Sequence, residues 1–190
     1  MRSSKRNKYL ALVLACGLGA VVALAGCGGA KQSSSNGGAQ SDSNGAPAEA
    51  SVTMPGLDGM DATVAQYKGK VVLVNFWATW CQPCKVEIPW MIEFNQRFGP
   101  KGLVILGVAM DDGGKKAVQP FVDKQTFQVN NQPEKMDYKI LLGNDDIADK
   151  FGGILGLPTS MLYGRDGKRV RTIVGLMDYP DIVKVIESQL

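Results

Sequence analysis

Gly69 to Pro89 reads GKVVLVNFWATWCQPCKVEIP. Its first half, Gly69 to Trp80, is a β-prone apolar run of the kind found in a strand buried on both faces. From Cys81 the pattern turns helical, with apolar residues at Val86, Met91, Phe94 and Phe98 and a stop at Gly99-Pro100. Cys81-Gln82-Pro83-Cys84 therefore falls where a buried strand hands over to a helix. A thiol at a helix N-terminus faces unpaired N–H groups and the positive end of the helix dipole, which favours its thiolate. Two intervening residues on a helical turn bring the second sulfur within disulfide reach. The pair reads as one cycling disulfide, with Cys81 as nucleophile and Cys84 as the resolving thiol one turn deeper.

Three other readings of the pair are weaker. Zinc needs four ligands, and one C-x-x-C in a chain with no His cannot supply them. A static disulfide usually closes a longer loop, because a two-residue loop constrains the unfolded chain little. A lone peroxidatic Cys would leave the second Cys surplus.

Outward from this junction, Gly102 to Met110 (GLVILGVAM) is a second buried strand, and Asp112-Gly113-Gly114 opens a weaker helix to about Gln125. YKILLG is a short strand, DDIADKFGG a short helix closed by glycines, and TSMLYGRDGKRVRTIVG a hairpin turning at Gly164-Arg165-Asp166-Gly167. DYPDIVKVIESQL ends the chain as an amphipathic helix. The order β-α-β-α-(β-α)-β-β-α implies an α/β fold. Its sheet is mixed, with parallel central strands, a C-terminal antiparallel hairpin and helices on both faces.

Toward the N-terminus the composition changes. Residues 1–26 carry a basic head (MRSSKRNK) and an apolar run ending in small residues, the pattern of an export signal. At about 18 residues the run is also near the lower limit for a membrane span, but it is rich in Gly and Ala and stops at Leu24-Ala-Gly-Cys27. Residues 27–50 are Gly, Ser, Asn, Gln and Ala with almost no large apolar side chain, a flexible tether with a reach of about 27 Å. Residues 51–190 form the globular domain, about 140 residues, enough for one core.

Composition excludes several functions. With no His among 190 residues, Ser-His-Asp and Cys-His catalysis and His-ligated metals are unavailable. The formal charge of +3 comes from Arg2, Lys5, Arg6 and Lys8; without them 17 basic residues face 18 acidic ones. The basic excess thus sits in one tail, which removes the case for nucleic acid as a partner. The basic cluster Lys168, Arg169 and Arg171 reads as a solvated hairpin face, and the methionines are scattered. No metal and no cofactor are expected.

At WATWCQPC the chain resembles the thioredoxin superfamily. VVLVNFWATWCQPCKVEIP together with GILGLPTSMLYGRDGK is similar to the membrane-tethered thiol–disulfide reductases of the TlpA/ResA type, over roughly residues 52–190. Leu24 to Cys27 resembles a bacterial lipobox, which implies cleavage before Cys27 and lipid attachment to its sulfur. The resemblance makes Trp80 the aromatic flanking the nucleophile, the alternative being a core Trp. It makes Pro83 the shaper of the first helical turn, and Leu157-Pro158-Thr159 the cis-proline loop that lends backbone groups to an extended substrate. Asn75 stands where cytoplasmic thioredoxins carry a buried Asp that exchanges protons with the deeper Cys. Glu87, three residues after Cys84, is the tethered reductases' acid and would take over that exchange; otherwise it is an exposed carboxylate near a helix N-terminus. Gln82 leaves the dipeptide neutral, which points to a reducing pair.

The expected function is disulfide reduction in exported proteins outside the cytoplasm. The chain would be a monomer held in the cell envelope by its lipid and reset by a membrane thiol donor, with apocytochrome c thiols as one client class. A peroxiredoxin-like thiol peroxidase and a tethered binding module with a static disulfide are the alternatives.

Overall fold

A computed structural model describes residues 47–190. The export signal, Cys27 and nearly all of the tether lie outside the described residues. Seven strands and four α-helices are present among those described: β1 Val71–Trp77, α1 Gln82–Phe98, β2 Leu103–Ala109, α2 Lys115–Lys124, β3 Phe127–Val129, β4 Gln132–Glu134, β5 Lys139–Leu142, α3 Asp145–Lys150, β6 Thr159–Tyr163, β7 Arg169–Val174 and α4 Tyr179–Gln189. The main sheet has the order β5-β2-β1-β6-β7. Strands β5, β2 and β1 run parallel, whereas β6 is antiparallel to β1 and β7 to β6.

All seven residues of β1 are buried, which is why its sequence shows no polar alternation. Its side chains still alternate between faces. Val71, Leu73 and Trp77 join a core with α1, Val118 of α2 and Ile182 and Ile186 of α4. Val72, Val74 and Phe76 face a second core holding Ile147 and Phe151 of the α3 region and Met54, Ala62 and Val64 from the N-terminal segment. The folded part begins ahead of Ser51: Ala48–Ser51 is a short 3₁₀ turn with Ala50 fully buried in the second core. Composition alone places Ala48, Glu49 and Ala50 in the tether because they carry too little apolar area to signal burial.

Two features depart from the sequence pattern. Val86 is 48% exposed, whereas Ile88 and Ile92 join Met91, Phe94 and Phe98 in the core. At about 100° per residue Val86 lies roughly 140° around the helix from Met91, off the buried stripe. The β3–β4 hairpin between α2 and β5 carries no strong apolar signal; it turns at Asn130 and Asn131, whose φ angles of 49° and 62° occupy the left-handed region that Asn tolerates.

One glycine is set by close approach. A Cβ on Gly107 of β2 would come within 2.8 Å of the Tyr138 ring and 3.3 Å of Trp77 Nε1, so the bare position lets Trp77 and Tyr138 pack over the strand. Of the basic hairpin residues, Arg171 pairs with Asp181 at 2.7 Å and Arg169 approaches Glu49 at 3.5 Å. Pairs this exposed contribute about 0–1 kcal/mol each.

Candidate active site

The C-terminal end of β1, the N-terminal end of β6 and the C-terminal end of β7 meet at one edge of the sheet, through the pairings Phe76–Thr159 and Thr159–Val174. Cys81 follows β1 there as the N-cap of α1, and Pro83 sits in the first turn, where its missing N–H costs nothing. Cys81 and Cys84 form a disulfide with Cα atoms 5.3 Å apart. The Cys84 N–H also donates to Cys81 Sγ at 3.2 Å. Released by reduction, that sulfur faces a helix N-terminal donor that favours its thiolate. Cys81 is 4% exposed and Cys84 1%, so the expected nucleophile is the more accessible residue by a narrow margin. Trp80 beside it is 64% exposed, which excludes a core role. Gln82 and Pro83 are exposed as well.

The Leu157–Pro158 peptide bond is cis. The Pro158 carbonyl accepts from Gly175 N–H at 2.8 Å, tying this loop to the end of β7. Thr159 is buried and its hydroxyl donates to the Gly156 carbonyl at 2.7 Å, so its side chain shapes the loop from within. Leu157 stands half-buried ahead of it.

Glu87 is 1% exposed, which overturns the surface-carboxylate reading. Its Oε1 accepts from the Met177 N–H at 2.7 Å and its Oε2 from Asn75 Nδ2 at 3.1 Å. Burial pushes its pKa up to about 7 from an ordinary 4.5, against the opposing pull of these two hydrogen bonds. Cys84 and Glu87 lie three residues apart on the buried face of α1, one helical turn. Asn75, 2% exposed in β1, also donates to Ser160 Oγ at 2.9 Å.

Asp111, just past β2, is a site residue that sequence reasoning missed. It is 5% exposed and accepts from the Thr79 N–H at 3.1 Å and from the Thr79 hydroxyl at 2.5 Å. The loop carrying Trp80 and Cys81 is thereby pinned to the neighbouring strand end. The only available signal was a carboxylate directly after a buried strand, in AMDDGG. Asp111→Ala leaves the hydroxyl and N–H of half-buried Thr79 without their acceptor and is expected to lower stability by about 1 kcal/mol, read as a drop in the urea midpoint.

A dithiol–disulfide at the N-cap of the helix after a central strand, beside a cis-proline loop, defines a thioredoxin-fold redox protein. Comparison with known proteins narrows the class. The model of the AhpC/TSA family matches residues 45–171. The chain is 31% identical over 184 residues to thiol-disulfide oxidoreductase ResA of Bacillus subtilis, covering 93% of this chain and 91% of that one. With ResA of Bacillus thuringiensis subsp. konkukian it is 34% identical over 121 residues, spanning 63% of each chain. Among solved structures, a thiol:disulfide interchange protein of the thioredoxin family from Chlorobium tepidum superposes with a TM-score of 0.63 at 27% identity, over 78% of this chain and 98% of that one. The chain belongs to the AhpC/TSA family and, within it, to the ResA-type thiol–disulfide oxidoreductases.

Proposed function

We propose that this protein reduces disulfides in exported proteins outside the cytoplasm, cycling between the Cys81/Cys84 dithiol and its disulfide. The observation that carries the reading is the redox pair at the α1 N-cap with the buried Glu87 carboxylate one turn behind it. Cys81 thiolate attacks a client disulfide, forming a mixed disulfide and releasing one client thiolate. Cys84 gives its proton to Glu87 and attacks Cys81 Sγ, closing the bridge and releasing the second client thiolate. Two electrons pass from the dithiol to the client, and a membrane thiol donor returns them. The Leu157-Pro158-Thr159 loop and the exposed Trp80 would line the path of an extended client segment to the attacking sulfur.

The reading extends to location and partners. Residues 1–26 direct export, Cys27 carries the lipid, and residues 28 to about 46 separate the anchor from a monomeric domain in the cell envelope. Among the described residues no helix is long and apolar enough to cross a membrane. Apocytochrome c disulfides are one client class, suggested by the ResA resemblance.

Equilibration of the protein with a thiol redox buffer tests the direction of electron flow. The expected reduction potential is near that of thioredoxin, about −270 mV; a value near about −120 mV would make the protein a disulfide donor, and a bridge that resists reduction would make it a static binding module. Peroxide reduction is disfavoured by the surroundings of Cys81. Thr79 is committed to Asp111, and the four arginines of the described residues are engaged elsewhere: Arg97 with Glu187, Arg165 with the carbonyls of Gly69 and Lys101, Arg169 near Glu49 and Arg171 with Asp181. Peroxide consumption is accordingly expected to equal that of Cys81→Ser, and a clear Cys81-dependent excess would restore the peroxidase reading.

A further inference from the structure

Glu87 is sealed in the core, yet the proposed cycle has it take up and release a proton. Each of its carboxylate oxygens already faces a donor, Met177 N–H on one side and Asn75 Nδ2 on the other. A carboxyl that gains a proton becomes a donor itself and needs an acceptor in the same place. The Met177 N–H belongs to the main chain and cannot become one. The Asn75 amide can, because a half-turn of its end group exchanges Nδ2 for Oδ1.

The second contact of that amide makes the exchange self-consistent. Nδ2 also donates to Ser160 Oγ, and a hydroxyl both donates and accepts through a proton that rotates freely. With the amide turned over, Oδ1 accepts from the Glu87 carboxyl and from the Ser160 hydroxyl at once. The same heavy atoms stay in contact, and the Glu87 carboxyl and the Ser160 hydroxyl keep a partner in both protonation states. Asn75 and Ser160 are held for this by the sheet, where they pair directly across β1 and β6, each 2% exposed.

We infer that Asn75 and Ser160 are positioning residues for the proton exchange: the Asn75 amide turns over whenever Glu87 changes protonation, and the Ser160 hydroxyl reverses from acceptor to donor. The inference rests on Glu87 being the proton carrier. The groups set against Glu87 are Asn75 from β1 with Ser160 behind it on β6, the Met177 N–H ahead of α4 and Cys84 one turn along α1, and the Tyr138 phenol ahead of β5 is near enough to feel its charge. Of these only Tyr138 and the reduced Cys84 titrate, and none carries a fixed charge. Burial of Glu87 keeps both of its states populated near neutrality. An Asp at position 75 would set a second carboxylate against Glu87 and could not serve both states.

The test is NMR of the full chain in detergent, isotopically labelled and reduced, between pH 5 and 9. It follows the Glu87 carboxyl carbon together with contacts from the Asn75 side-chain NH₂ protons to Ser160 and Glu87. Those contacts are expected above the Glu87 midpoint and to disappear below it, with a shared midpoint. Titration of Glu87 with unchanged Asn75 contacts would overturn the inference while leaving Glu87 as proton carrier; no titration of Glu87 in this range would overturn both. Ser160→Ala supplies a second reading. It leaves an amide N–H unpaired in the ionised state but only a spare carbonyl lone pair in the protonated state, so the Glu87 midpoint should rise by roughly one pH unit. An unchanged midpoint in folded Ser160→Ala would count against the network.

Discussion

Cys84→Ser is expected to accumulate a covalent complex with its client through Cys81, while Cys81→Ser forms none and reduces nothing. The asymmetry follows from the two positions on α1. Cys81 caps the helix, is the less buried residue of the pair and receives the Cys84 N–H, so it is the thiolate that can meet a substrate. Cys84 is enclosed beneath it and meets only the mixed disulfide already formed on Cys81. Without Cys84 the first exchange proceeds and the second has no internal thiolate, so turnover falls to the rate at which an external thiol resolves the complex. Non-reducing gel electrophoresis after mixing with a disulfide-bonded client separates the outcomes. A stable complex on Cys81→Ser instead of Cys84→Ser would reverse the assigned roles.

Glu87→Gln should slow the resolving step about 10²-fold at pH 7 and abolish the pH dependence of that step near neutrality. The same substitution changes stability with a definite sign. Burial raises the Glu87 pKa to about 7, above its ordinary 4.5. Between these values the native protein holds a proton that the unfolded chain has released. The favourable contribution is therefore complete below about pH 4.5 and is lost as pH rises through 7. By pH 8 the ionised, buried carboxylate costs at most about 3 kcal/mol relative to acid conditions. A Gln amide mimics the protonated acid: its oxygen can accept from Met177 N–H and its NH₂ can donate to a turned Asn75. The variant should thus be less active than the native protein but more resistant to urea at pH 8, with the advantage vanishing toward pH 5. Equal urea midpoints at pH 8 would show that Glu87 is not ionised against a desolvation cost.

The burial behind this second prediction is not legible in CKVEIP itself. A Glu in the second turn of a helix is ordinarily a solvated group favoured by the dipole. The family resemblance singles it out, but only packing shows that α1 turns residue 87 inward and residue 86 outward. Val86 shows the converse: an apolar side chain within the helical run lies on the exposed face. Period alone identifies a helix readily; it assigns the buried stripe less well when a polar residue sits within that stripe.

The order of the α-helices and main-sheet strands, the parallel centre with its antiparallel hairpin, and the placing of Cys81-Gln82-Pro83-Cys84 at a strand–helix junction follow from the sequence by itself, whereas the β3–β4 hairpin does not. They depend on local quantities: side-chain period, Gly and Asp-Gly turn chemistry, and β-prone runs bounded by breakers. The environment of the site is decided by tertiary structure. Thr79 meets Asp111 across 32 positions of chain, Asn75 meets Ser160 across 85, and Glu87 meets the Met177 N–H across 90. No local pattern encodes such pairings. The proton affinity of Glu87 depends on how completely α1, β1 and the loop before α4 exclude water from it, and that exclusion exists only once the chain has folded.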